Sequence, residues 1–181
     1  VVNAMLAAGL SGAEFLAVST SQPRLRKSNA VVTIKIGSDP RSFGTGGDPS
    51  AAKAAVQESK QEILDCLKGA DLVFLTAGLG GGTGTGATPE IAKIAKEVGA
   101  LVVAVVTKPF SREGKRRTEM AEKGIKALLP LVDSPIVLPN DRLISMAGKG
   151  TTLLEAFKPA DQLVQQAIQG MVEIISRPGH I

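Results

Sequence analysis

Short unbroken apolar runs alternate along this chain with longer stretches whose apolar residues return every three or four positions. DLVFLTAG (71–78) and LVVAVVTK (101–108) carry almost no polar interruption, the pattern of strands buried on both faces. EFLAVST from Glu14, VVTIKI from Val31 and SPIVLPN from Ser134 read as further short strands. Between them, Asp48-Pro49 predicts a helix start, because aspartate is a good N-cap and proline suits the first helical position. That helix is expected to run to about Lys68 and to stop at Gly69. Pro89 predicts the start of a helix over PEIAKIAKEVG, and TEMAEKGIKALL predicts another. TTLLEAF and the following PADQLVQQAIQGMVEIISRPG are helical as well, with Leu163, Ala167, Met171 and Ile174 spaced four, four and three apart. Buried strands alternating with helices define an α/β fold: three layers, a mostly parallel sheet with helices on both faces. Ligands of such sheets bind beyond the carboxyl ends of the strands. No internal repeat, low-complexity tract or linker interrupts residues 1–181, so a single domain is expected.

Composition narrows the chemistry. With 44% hydrophobic residues but only five Phe and no Trp or Tyr, the core must be built from Val, Ile, Leu and Ala. The one cysteine, Cys66, lies among helix-periodic apolar residues, which predicts core packing, and the one histidine, His180, is next to last. Zinc motifs and most histidine-based mechanisms are thereby removed. No run approaches the roughly 20 apolar residues of a membrane span, so direct membrane insertion is not expected. Net charge is a mild +4, and the basic cluster REGKRR (112–117) has no aromatics interleaved for base stacking. A solvated or ligand-facing loop is therefore expected there rather than a nucleic-acid site.

The sharpest signal is AGLGGGTGTGATPE, between the strand at 71–78 and Pro89. Six glycines fall in the nine positions from Gly78 to Gly86. Each would cost roughly 0.5–1 kcal/mol relative to alanine in a regular element. The expected use is positive φ, with successive N–H groups converging on an anion at the start of a helix. Thr83 and Thr85 supply hydroxyls for phosphate oxygens or a hydrated cation. No Gly-Lys-Ser/Thr follows, so this is not a P-loop of the Walker type. Gly82-x-Gly84-x-x-Ala87 is a degenerate dinucleotide pattern, but no acid closes the next strand to hold a ribose. An NADP-dependent oxidoreductase using Lys108 stays open as the alternative.

GGGTGTG after a strand, VVAVVTKPFSREGKRR, PNDRL from Pro139, LLEAFKPADQLV from Leu153 and the closing GMVEIISRPG together resemble the tubulin/FtsZ family, in order and over essentially the whole chain. The resemblance implies a tubulin-like GTPase domain of bacterial cell division. It would bind GTP or GDP, with Mg2+ held through the phosphates, and polymerise head to tail into the cytokinetic ring at mid-cell. Other division proteins would be recruited through regions not present here. It implies that Gly80, Gly81, Gly82, Thr83, Gly84, Thr85 and Gly86 hold phosphates, and that Glu113 and Arg117 contact the ribose and neighbouring phosphate. Phe157, Asp161, Asn140 and Asn3 would meet the base, the Asp161 carboxylate accepting from guanine N–H groups that adenine lacks. Taken alone, Glu113 and Arg117 are an ordinary i, i+4 ion pair.

SFGTGGDP (Ser42 to Pro49) corresponds to the family's γ-phosphate loop, with Gly44 and Gly46 retained and Thr45 and Gly47 in place of alanines. Ser19-Thr20-Ser21 stands where the family usually has Asn-Thr-Asp, which removes a carboxylate near the phosphates and motivates a third reading, a binding-only relative. The resemblance places the family's first strand and most of its first glycine loop before Val1. It places the acidic Asn-x-Asp-Phe-x-Asp segment and the second domain after Ile181. On that reading no catalytic residue lies in this chain, and alone it is expected to be inactive or nearly so.

Overall fold

The computed structural model describes residues 2–10, 12–39, 43–142 and 153–176. In chain order its elements are α1 (Val2–Ala7), β1 (Leu16–Ser19), α2 (Gln22–Leu25), β2 (Val32–Lys35), α3 (Pro49–Glu58), α4 (Lys60–Leu67), β3 (Leu72–Gly78), α5 (Gly82–Glu97), β4 (Leu101–Lys108), α6 (Lys115–Leu128), β5 (Ser134–Pro139) and α7 (Leu153–Ser176). A 3-10 turn at Ser111–Glu113 precedes α6, and another at Leu129–Leu131 follows it.

Every strand pair is parallel. β4 is central, pairing with β3 from Leu72↔Leu101 to Gly78↔Thr107 and with β5 from Val103↔Ser134 to Lys108↔Pro139. β1 pairs with β2 from Leu16↔Val32 to Ser19↔Lys35. The expected single sheet is thus two, since among the described residues no ladder joins β1 to β3. A shared apolar core joins them instead: Leu16, Val18 and Ile34 pack in one cluster with Val73, Val102 and Val106.

Strand alternation distributes β4 between two layers. Val102, Ala104 and Val106 face the cluster that contains Ala52 and Val56 of α3, Ile63 of α4, Ala92 and Ile94 of α5 and Ile125 of α6. Val103 and Val105 face the opposite cluster, built with Met5 of α1 and Val164, Ile168 and Val172 of α7. The three-layer arrangement follows directly, and it explains why LVVAVVTK has no polar alternation.

Local signals were obeyed at several element ends. Asp48 caps α3, its Oδ1 accepting from Ser50 N at 2.8 Å, and Pro49 stands in the first turn. Gly69 ends α4 with φ +84°. The predicted single helix to Lys68 breaks at Ser59 into α3 and α4. Cys66 is exposed rather than in the core. Ile63 and Leu67, four apart, take the inward face of α4, so Cys66 falls on the outward side.

The larger departure is α5. It begins at Gly82, seven residues before Pro89, so most of the glycine-rich segment is helix rather than loop. The residues that contradict helix propensity here are selected by close packing. A Cβ on Gly84 would overlap the Gly78 carbonyl oxygen, and one on Gly86 would overlap the Pro49 carbonyl oxygen. One on Gly82 would overlap the Thr45 hydroxyl and stand 2.7 Å from Asp48 N. Glycine at these three positions lets α5 lie against β3, the start of α3 and the 43–48 turn.

Candidate functional site

Beyond the carboxyl ends of the strands lies a cavity of about 500 Å³, within the size range of small-molecule sites. Its floor is the start of α5. Gly81, the N-cap, is extended at φ −99°, ψ 166° and offers no side-chain cap, so the first N–H groups of the helix open toward the cavity with the positive end of its dipole. Only Gly80 in this segment has positive φ (+94°). The expectation that the glycines serve mainly left-handed backbone is therefore corrected, because the others are needed for close approach.

One wall is the turn from Phe43 to Gly47, with Gly44, Gly46 and Gly47 all at positive φ. Thr45 packs over Gly82, and Phe43 forms an isolated antiparallel bridge with Ser21. Ser21 and Arg24, at the start of α2, continue this wall. Thr20 Oγ1 lies 2.8 Å from Thr83 Oγ1, tying the end of β1 to the first turn of α5.

The opposite wall comes from the ends of β4 and β5. Glu113 accepts from Phe110 N at 2.9 Å through Oε1 and from Arg117 Nη1 through Oε2. Both members of this i, i+4 pair line the cavity, so the ion pair and a place in the cavity wall coexist. Asp141 receives Ser111 N at 2.9 Å and the Ser111 hydroxyl at 2.5 Å, which fastens the turn before α6 to the end of β5. The Ser111 hydroxyl and then its backbone N–H hold the Asp141 carboxyl below its ordinary value. Next to it Asn140 is 3% exposed, and its Oδ1 has no hydrogen-bond partner although it lines the cavity. An unpaired buried acceptor is costly unless a ligand satisfies it.

Of the residues singled out from the sequence, Gly44, Gly46, Gly81, Gly82, Thr83, Gly84, Glu113, Arg117 and Asn140 share this cavity. Gly80, Thr85 and Gly86 support it from behind. Gly80 N donates to the buried Thr85 Oγ1 at 2.9 Å, so that hydroxyl is used inside the fold and does not face a ligand. Asn3 is placed elsewhere: its Nδ2 donates to Lys27 O at 2.7 Å and its Oδ1 accepts from Asn29 N at 2.8 Å. Asp161 sits partly buried on α7, outside the cavity lining. The side chain of Phe157, also on α7, lies outside the described residues. Lys108, the group an NADP enzyme would need, is bound to Glu122 at 2.6 Å. Arg24 was missed because α2 is too short to show periodicity; Pro23 in its first turn is the one local hint.

A helix N-terminus, a glycine turn, an arginine pair of walls and an orphan acceptor in one cleft define an α/β domain built for an anionic ligand with a polar head. Comparison with known proteins agrees. The sequence profile of the Tubulin/FtsZ family, GTPase domain, matches residues 2–148. The cell division protein FtsZ of Coxiella burnetii is 48% identical over 181 residues, covering 99% of this chain and 47% of that protein. The empty FtsZ dimer of M. jannaschii superposes with a TM-score of 0.93 at 40% identity, over 99% of this chain and 52% of that one. CetZ2 from Haloferax volcanii, a GTPγS-bound protofilament, shares the fold with a TM-score of 0.83 at 23% identity, over 94% of this chain and 54% of that one. The chain belongs to the Tubulin/FtsZ family, in its GTPase domain. It spans about half the length of the relatives it matches.

Proposed function

We propose that this chain is the guanine-nucleotide-binding part of a cell-division GTPase that polymerises head to tail into a septal ring at mid-cell. The observation that carries the reading is the buried, unpartnered Oδ1 of Asn140 in the same cavity as the open N-terminus of α5 and the Glu113–Arg117 pair. The α5 N-terminus takes phosphate oxygens, Glu113 accepts from sugar hydroxyls and Arg117 neutralises phosphate charge. Asn140, with Phe157 and Asp161, reads the base.

Hydrolysis in this reading depends on acids from an adjacent subunit, outside these 181 residues. In support, Glu113 is the one carboxylate among the described residues that lines the cavity, and both its oxygens are engaged. The edges of β1 and β3 that carry no strand among the described residues support a further segment of the parent protein completing the sheet.

Competition for a fluorescent guanine nucleotide tests the reading. GDP and GTP displace it, whereas ATP and NADPH do not; tight NADPH binding would overturn the assignment. Joining the downstream acidic segment should produce GTP turnover that rises steeply with protein concentration. Full turnover by the present chain at high dilution would refute the split site.

A further inference from the structure

We infer that Arg24 is a second phosphate-binding cation, which takes the terminal phosphate of a bound nucleoside triphosphate. The inference rests on the guanine-nucleotide reading above and concerns the end of the cavity that reading leaves undescribed.

The cavity has a direction. Asn140 and Glu113 place acceptors at the β4–β5 side, where a base and sugar present N–H and O–H donors. A polyphosphate extending from them crosses the N-terminus of α5 and reaches the wall made by Ser21, Arg24 and the 43–47 turn. The bridge from Ser21 to Phe43 and the Thr20–Thr83 contact hold that wall against the first turn of α5.

The donor set at this end does not suit a protein-held Mg2+, which favours carboxylate oxygens. Ser21, Thr45 and Thr83 offer hydroxyls, and glycines offer backbone groups. Glu113 stands on the opposite wall, tied to Phe110 N and Arg117, and no group of three or more His, Cys, Asp or Glu stands together among the described residues. A cation therefore has only the phosphates themselves and neutral oxygens to hold it.

Arg24 supplies the missing positive charge. Arg24 lines the cavity, while Arg117 on the other wall is already paired with Glu113. No ion pair of Arg24 occurs among the described residues. Its planar fork matches two phosphate oxygens at once, and it stays charged at any working pH. Two cations flanking one helix N-terminus would thus divide the work, Arg117 near the inner phosphates and Arg24 at the outermost.

The test compares GDP and GTP binding to the full chain in Mg2+ and in EDTA, for wild type, Arg24→Gln, Arg24→Lys and the double variant Ser21→Asp/Arg24→Gln. Arg24→Gln should weaken GTP by about tenfold or more and GDP by less than about threefold, the loss of a charged bond to one phosphate. Arg24→Lys should fall between, keeping charge but not the fork. The double variant should recover GTP binding only with Mg2+. A thermal melt confirms folding, since Arg24 is exposed. GTP affinity unchanged in Arg24→Gln, or GTP and GDP weakened equally, overturns the role of Arg24. Failure of wild type to bind either nucleotide overturns the guanine reading and this inference with it.

Discussion

The Gly80 amide donates to the Thr85 hydroxyl at 2.9 Å, across the very segment whose glycines otherwise suggest an unstructured loop. This bond closes the left-handed turn at Gly80 onto the first turn of α5 and removes Thr85 from the ligand's reach. Gly80 is in turn pressed on its other side, since a Cβ there would stand 2.9 Å from Arg117 O and 3.0 Å from Pro109 Cγ. Loop geometry and the Arg117 wall are therefore set by one contact system.

Alanine substitutions should sort the glycines by this packing. Gly84→Ala and Gly86→Ala, each overlapping a carbonyl oxygen, should destabilise by about 1–3 kcal/mol or more in denaturant unfolding. Gly81→Ala meets nothing within 4 Å and has negative φ, so its stability should stay within about 0.5 kcal/mol of wild type. Equal effects at Gly81 and Gly86 would contradict the packing account.

Asn140→Ala should separate binding from stability. Removing a side chain whose Oδ1 has no partner should cost the free protein little, while nucleotide affinity falls by about 1–3 kcal/mol if a ligand normally satisfies that acceptor. Calorimetric unfolding and nucleotide titration of the same variant check both halves. A large stability loss with unchanged affinity would make Asn140 structural.

The Glu113–Arg117 pair is exposed at its arginine end, so Arg117→Ala should lower stability by no more than about 1 kcal/mol. Binding should suffer more, and Glu113→Gln should weaken nucleotide through the sugar rather than the phosphate. A ribose-modified guanine nucleotide should therefore discriminate less between Glu113→Gln and wild type than the natural one does.

Glu90 gives the fold an acid-sensitive joint. It is 4% exposed between α3 and α5, accepting from Gln57 at 2.8 Å and Lys93 at 2.9 Å, with Lys53 at 3.3 Å. Desolvation pushes its pKa upward, but the hydrogen bonds and charges of Lys93 and Lys53 outweigh burial and lower it below the ordinary 4.5. A lowered folded value means stability that is present above pH 4.5 and is lost as pH falls through the folded pKa. Glu90→Gln should flatten the acid limb of a stability–pH curve; an unchanged slope would assign the loss to other carboxylates.

What the sequence disclosed depended on how local the cause was. Asp48 and Gly69 act on their own neighbours, so the start of α3 and the end of α4 were readable. The apolar runs of β3 and β4 were readable because both faces are covered. The start of α5 was hidden because Gly82, Gly84 and Gly86 owe their identity to Thr45, Gly78 and Pro49, contacts that exist only after folding. Cys66 shows the limit of periodicity, since Ile63 and Leu67 define the inward face and Cys66 misses it. In the cavity, motif resemblance reached Glu113, Arg117 and Asn140, whereas the place of Arg24 emerged only from the fold. Asn3 was spoken for by Lys27 and Asn29, a competition invisible along the chain.

The division into two sheets has a mechanical consequence. The cavity draws one wall from the end of β1 and the 43–47 turn and the other from β4 and β5, so its occupant straddles a seam that no backbone ladder crosses among the described residues. A molecule seated there acts as a clasp. Loading it should slow amide hydrogen exchange in Leu16–Ser19 and Val32–Lys35, far more than in the already laddered β4, and emptying it should let that flank breathe first.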